Sequence, residues 1–93
     1  MTDSPQIQEI KARYKASFPE KANMLSGFMR VVSTGGELTI LREELHKLAG
    51  SSGMYSYDDI SSLCRKAMQS IDNDQLENLH NELSQLINLV EQS

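Results

Sequence analysis

Apolar residues in this chain recur three and four positions apart through five successive stretches. Nowhere do they alternate as a half-buried strand requires. The three-and-four period puts them on one face of a helix. The chain is therefore expected to be all-α. With 93 residues it has room for one hydrophobic core, so a single domain over residues 1–93 is expected. Short connections between the stretches favour antiparallel neighbours. The expected architecture is an up-down antiparallel four-helix bundle with a short additional N-terminal helix.

The first stretch runs from about Pro5 to Ala16, with Ile7, Ile10 and Tyr14 on one side. Ser4 is placed to cap it, with Pro5 at the first helical position, where a missing N–H costs nothing. Ser17-Phe18-Pro19-Glu20 reads as a capping box for the second helix. The alternative is one long helix kinked at Pro19. The second stretch carries Leu25, Phe28, Met29 and Val32 and stops near Thr34. Gly35-Gly36 then supply the left-handed backbone that helix ends favour.

The third helix is expected from about Glu37 to Met54. Ser56 is the expected cap of the fourth, with Asp58 and Asp59 near the positive end of its dipole. The apolar face of the fourth helix is Ile60, Leu63, Cys64, Ala67, Met68 and Ile71. Asp74 with Glu77 forms another box-like start, and the last helix carries Leu76, Leu79, Leu83, Leu86, Ile87 and Val90.

Composition narrows the function. The formal net charge is −4, which argues against nucleic acid as the partner, since phosphate-backbone binding needs a basic patch. The single cysteine, Cys64, has no partner for an internal disulfide and suits a reducing compartment. The start, Met1-Thr2-Asp3-Ser4-Pro5, lacks the pattern of a secretory signal. No apolar run approaches the roughly 20 residues that span a bilayer. A soluble cytoplasmic protein is expected, with no membrane partner. Tryptophan is absent, so aliphatic side chains and the five methionines are expected to fill the core.

One histidine stands out. At about 100° per residue, Leu38, Leu41, Leu45, Leu48, Ala49 and Ser52 share an arc of roughly 100°, the core face of the third helix. His46 lies about 110° from the centre of that arc, so its ring is expected at the surface. Gly50 and Gly53 follow it four and seven positions on, along its own face. Each interior glycine costs a helix about 1 kcal/mol relative to alanine. Access of a large partner to the imidazole accounts for both. An early helix end capped by one of them, or close packing against another helix, are the alternatives.

The run His46-Lys47-Leu48-Ala49-Gly50-Ser51-Ser52-Gly53-Met54-Tyr55 resembles the signature of histidine-containing phosphotransfer (HPt) domains. The pattern is a histidine, an apolar residue two on, a glycine four on, then small residues. The resemblance covers nearly the whole chain. It implies a helical bundle whose exposed histidine, here His46, carries a phosphoryl group between aspartates of receiver domains in a His–Asp phosphorelay. Two positions depart from the commonest form. Ala49 stands where a lysine is frequent, and Ser56 where a glycine is frequent. The resemblance further implies receiver domains of a hybrid sensor kinase and of a response regulator as partners. The chain itself is expected to be a monomer.

The sequence contains no glycine-rich nucleotide loop or kinase-like motif, so a carrier without its own ATP site is expected. No cofactor of its own is expected, and no metal site. Mg²⁺ is expected on the partner receiver, because phosphoryl transfer needs positioning and charge neutralisation. Arg42, Lys47, Arg65 and Lys66 are candidate cations for a phosphorylated His46, and each is equally readable as part of a solvated face. Arg42, Lys47, Gly50 and Gly53 are the candidate phosphate- or receiver-facing positions. Ser51 and Ser52 are read as braces for the imidazole or the backbone, Ser52 chiefly as a small core residue bonded to its own helix. His80 is expected to be partly buried and structural, and Cys64 to be core. Two rival functions are a receiver-binding module that turns over no phosphate and a hydrolase using histidine as general base.

Overall fold

A computed structural model of the chain describes residues 5–92, with side chains described from Glu9 onward. It is all-helical: α1 (Pro5–Ala16), α2 (Phe18–Ser33), α3 (Thr39–Met54), α4 (Asp58–Asp72) and α5 (Leu76–Gln92). There is no strand among the described residues. Helices α2, α3, α4 and α5 pack together, α3 on α4, α4 on α5 and α5 on α2. The expected cap Ser4 and the side chain of Ile7 lie outside the described residues.

The core is aliphatic. Leu25, Leu41, Leu45, Leu79, Leu83 and Leu86 are fully enclosed, and Phe18, Val32, Leu48, Ile60, Leu63 and Val90 are buried with them. The methionines among the described residues do not fill it. Met24, Met29 and Met68 pack around the edge, and Met54 is 76% exposed. Leucines at helical spacing already close the interior, so the flexible thioethers are left to its margin. Every apolar position expected on the inner face of α3 is buried except Leu38, which is partly so.

The helix joints differ from the capping expected for them. Ser17 makes no side-chain cap; its hydroxyl donates to the Tyr14 carbonyl at 2.6 Å. Its backbone is itself helical, φ −82° and ψ −7°. Pro19 is the cause. It has no N–H for the carbonyl one turn back and its ring crowds that carbonyl, so the ladder breaks while the chain keeps turning. The result lies between the two sequence readings: two helices joined through one helical residue.

Ser56 does not cap α4. It takes the left-handed conformation at φ 67° and finishes α3 instead, with its N–H on the Gly53 carbonyl and the Tyr57 N–H on the Ser52 carbonyl. Asp74 repeats this after α4 at φ 56°, with the Gln75 N–H on the Ser70 carbonyl at 2.8 Å. It is a helix end rather than a helix start. α2 ends as the glycine pair predicts: Gly35 has φ 74°, and the Gly36 N–H closes onto the Val31 carbonyl at 2.9 Å. α3 begins at Thr39, two residues later than expected, with the Leu38 carbonyl accepting its first bond, from the Arg42 N–H.

Candidate functional site around His46

The outer face of α3 holds the site. Leu41, Leu45, Leu48, Ala49 and Ser52 turn inward, and that fixes where the rest of the helix points. His46 is exposed, as its angle from the leucine stripe predicts. Lys47 and Gly50 beside it are exposed as well. His46 thus stands on an exposed stretch of the helix surface.

The two glycines separate in role. A Cβ on Gly50 would meet nothing within 4 Å, so the bare backbone there faces open space. A Cβ on Gly53 would lie 3.3 Å from Ser61 Oγ and 3.9 Å from Ser61 Cβ. Gly53 is exposed to solvent yet also lets α4 come close. Gly50 is thus open on the His46 face, whereas Gly53, expected to serve access alone, also lies against α4. Ser61 is buried and donates to the Ala49 carbonyl at 2.9 Å, so α3 and α4 are joined where that glycine permits.

Two of the four candidate cations, Arg42 and Lys47, face a carboxylate. Arg42, one turn before His46, makes a two-pronged ion pair with Asp72 at the end of α4, Nε to Oδ1 at 2.8 Å and Nη2 to Oδ2 at 2.9 Å. The bond to Asp72 raises the Arg42 pKa, and the same bond holds the Asp72 carboxyl below its ordinary value. Lys47 Nζ lies 3.5 Å from Glu44 Oε1. Arg65 and Lys66 are exposed on α4. Sequence reasoning passed over Asp72 and Ser61 as site neighbours. Both reach α3 from another helix, at separations of 30 and 12 residues, where no local spacing rule applies.

The serines act on the scaffold. Ser51 is hydrogen bonded to the Tyr14 hydroxyl at 2.7 Å, not to the imidazole. Around that bond Tyr14 packs on Phe18, Tyr55 and Tyr57, with ring centroids 4.6–6.0 Å apart. Lys21 Nζ stands 5.7 Å from the centre of the Tyr14 ring. This aromatic group ties the α1–α2 joint to the end of α3. Ser52 is buried and donates to the Leu48 carbonyl at 2.6 Å, the structural role expected of it.

His80 is exposed on α5, not partly buried. Its neighbour Leu79 takes the buried position, and at about 100° per residue His80 lies about 70° from the centre of the leucine stripe, enough to carry a side chain out of the narrow seam of a small bundle. Exposure alone thus does not distinguish the two histidines. Gly50 does: His80 has Ser84 four residues on, whereas His46 has bare backbone. Cys64 is buried, and burial pushes its thiol up to about 12. Among the described residues no group of three or more His, Cys, Asp or Glu is placed to hold a metal ion. No helix among them is long and apolar enough to cross a membrane.

A family model, the Hpt domain, matches residues 8–92, a span that includes the whole of α2–α5 and the His46 face. No curated protein and no solved structure matches the chain.

Proposed function

The chain belongs to the Hpt domain family, whose members carry phosphoryl groups in His–Asp phosphorelays and interact with receiver domains, and we propose that His46 is its phosphoacceptor. The observation that carries this is the placement of His46: exposed on the outer face of α3, with open backbone at Gly50 one turn on. A receiver domain must bring its aspartyl phosphate to the ring nitrogen, and the absence of a Cβ at Gly50 clears the approach. A lone pair on the imidazole attacks phosphorus, the N–P bond forms, and the aspartyl O–P bond breaks to leave a carboxylate. A second receiver reverses the exchange. Catalysis here is positioning and charge neutralisation. Mg²⁺ brought by the receiver supplies the latter in this proposal.

The proposed flow runs from the receiver of a hybrid sensor kinase to a response regulator in the cytoplasm. The chain acts as a monomeric single-domain shuttle without an ATP site of its own. An up-down antiparallel course of four helices, with α1 as an extra N-terminal helix, belongs to the same proposal. Two local contacts support the course of its central pair: Arg42 near the start of α3 meets the end of α4, and Gly53 near the end of α3 meets its start. The test is to mix the chain with a phosphorylated receiver and follow labelled phosphate. The label is expected on this chain, labile to acid and stable to alkali, as a phosphoramidate is. A label surviving mild acid would indicate a serine ester and contradict the assignment.

A further inference from the structure

The ion pair between Arg42 and Asp72 has a second anion in prospect. Arg42 lies four residues before His46, so their side chains share a face. Helical side chains lean toward the N-terminus, which carries the His46 ring over the turn that bears Arg42; the Arg42 side chain leans on toward Asp72 and reaches back to that ring only on leaving the carboxylate. A phosphoryl group on that ring brings up to two negative charges and three acceptor oxygens to the same turn. Lys47 is sequence-adjacent but about 100° round the helix, and its ammonium faces Glu44.

We propose that Arg42 is the cation that receives the phosphoryl group of His46, and that Asp72 holds it in reserve by competing for it. The exchange is inexpensive. The Arg42 and Asp72 side chains are 46% and 51% exposed, so water screens the pair and can take up the carboxylate that the guanidinium leaves. A guanidinium pairs with phosphate as well as with carboxylate, in the same forked geometry. Asp72 tunes how strongly Arg42 can do so. This inference rests on His46 being the phosphoacceptor.

The test uses phosphoramidate, which phosphorylates exposed imidazoles directly: the N–P bond to histidine forms as the P–N bond of the reagent breaks and ammonia leaves. A His80→Gln background leaves His46 as the reporting imidazole. The ionisation of the phosphoryl group itself is followed by ³¹P NMR above pH 6, with helicity checked by circular dichroism. A cation on the phosphoryl oxygens lowers that pKa. Arg42→Gln is expected to raise it by roughly half a pH unit. Asp72→Asn is expected to lower it, and to have no effect once Arg42→Gln is present. If Asp72→Asn lowers it equally with and without Arg42, Asp72 acts only as a nearby charge and the competition is refuted. If Asp72→Asn raises it, Asp72 positions Arg42 rather than competing for it, and the inference is wrong. If His46 takes no phosphate from the reagent or from a receiver, the phosphoacceptor assignment falls first and this inference with it.

Discussion

Ser61 Oγ sits 3.3 Å from the point where a Cβ on Gly53 would stand, and it cannot retreat freely because it donates to the Ala49 carbonyl at 2.9 Å. Gly50, three residues earlier, has open space at the same point. One pair of glycines on one helix face therefore answers to two different constraints.

Gly50→Ala is expected to raise stability by about 0.5–1 kcal/mol, because it removes backbone freedom from the unfolded chain and meets no obstacle in the fold. Gly53→Ala is expected to lower the melting temperature, since its Cβ presses on a buried, bonded hydroxyl. In a Ser61→Ala background the same change is expected to become neutral or stabilising. Thermal melts of the three variants check this. A gain for Gly53→Ala with Ser61 intact would return Gly53 to a pure access role.

Ser56 occupies left-handed backbone at φ 67°, a conformation that costs residues with a Cβ roughly 1–2 kcal/mol relative to glycine. Ser56→Gly is expected to raise stability by about 0.5–1 kcal/mol after the extra entropy of glycine in the unfolded chain is set against that gain. Denaturant melts measure it. Loss of stability in Ser56→Gly would mean that the serine side chain holds the α3–α4 turn.

Much of this was legible in the sequence, and the boundary is instructive. The inner face of α3 follows from 3.6-residue periodicity because leucine burial dominates the energetics of so small a bundle. The exposure of His46 follows from the same wheel. The caps expected at Ser17, Ser56 and Asp74 do not form because a residue beside a helix boundary serves the helix before it as readily as the one after, Ser17 through its hydroxyl and Ser56 and Asp74 through their left-handed backbone. At Ser56 and Asp74 the choice is made by the left-handed turn, which needs the packed helices to define it. The Arg42–Asp72 pair was not legible, because its members are brought together only when α3 lies against α4.

Tyr14→Phe is expected to cost about 0.5–1.5 kcal/mol, the net worth of its hydrogen bond to Ser51, while leaving the ring contacts with Phe18, Tyr55 and Tyr57 in place. Ser51→Ala removes the same bond. The two losses are expected not to add in the double variant. Additive losses in denaturant melts would show that the two hydroxyls act separately.

Burial raises the Cys64 thiol from 9.0 to about 12 in the folded chain. Below pH 9 the thiol is protonated in both states and has no effect on the pH dependence. Above it the unfolded chain ionises first, so the stability from this group falls as pH rises toward about 12. Cys64→Ala is expected to be less stable at neutral pH and to show a flatter decline between pH 9 and the alkaline limit. An unchanged alkaline slope would show that other groups set it.

Transfer to His46→Gln and His80→Gln, side by side, tests the central claim most directly, since both histidines are exposed and only one is proposed to carry phosphate. Each variant is mixed with a phosphorylated receiver that labels the unaltered chain, and the phosphorylated residue is located by mass spectrometry under neutral conditions. His80→Gln is expected to take label on His46 at the unaltered rate. His46→Gln is expected to fold with unchanged helicity and take none. Label on folded His46→Gln, at His80 or anywhere else, would contradict the account.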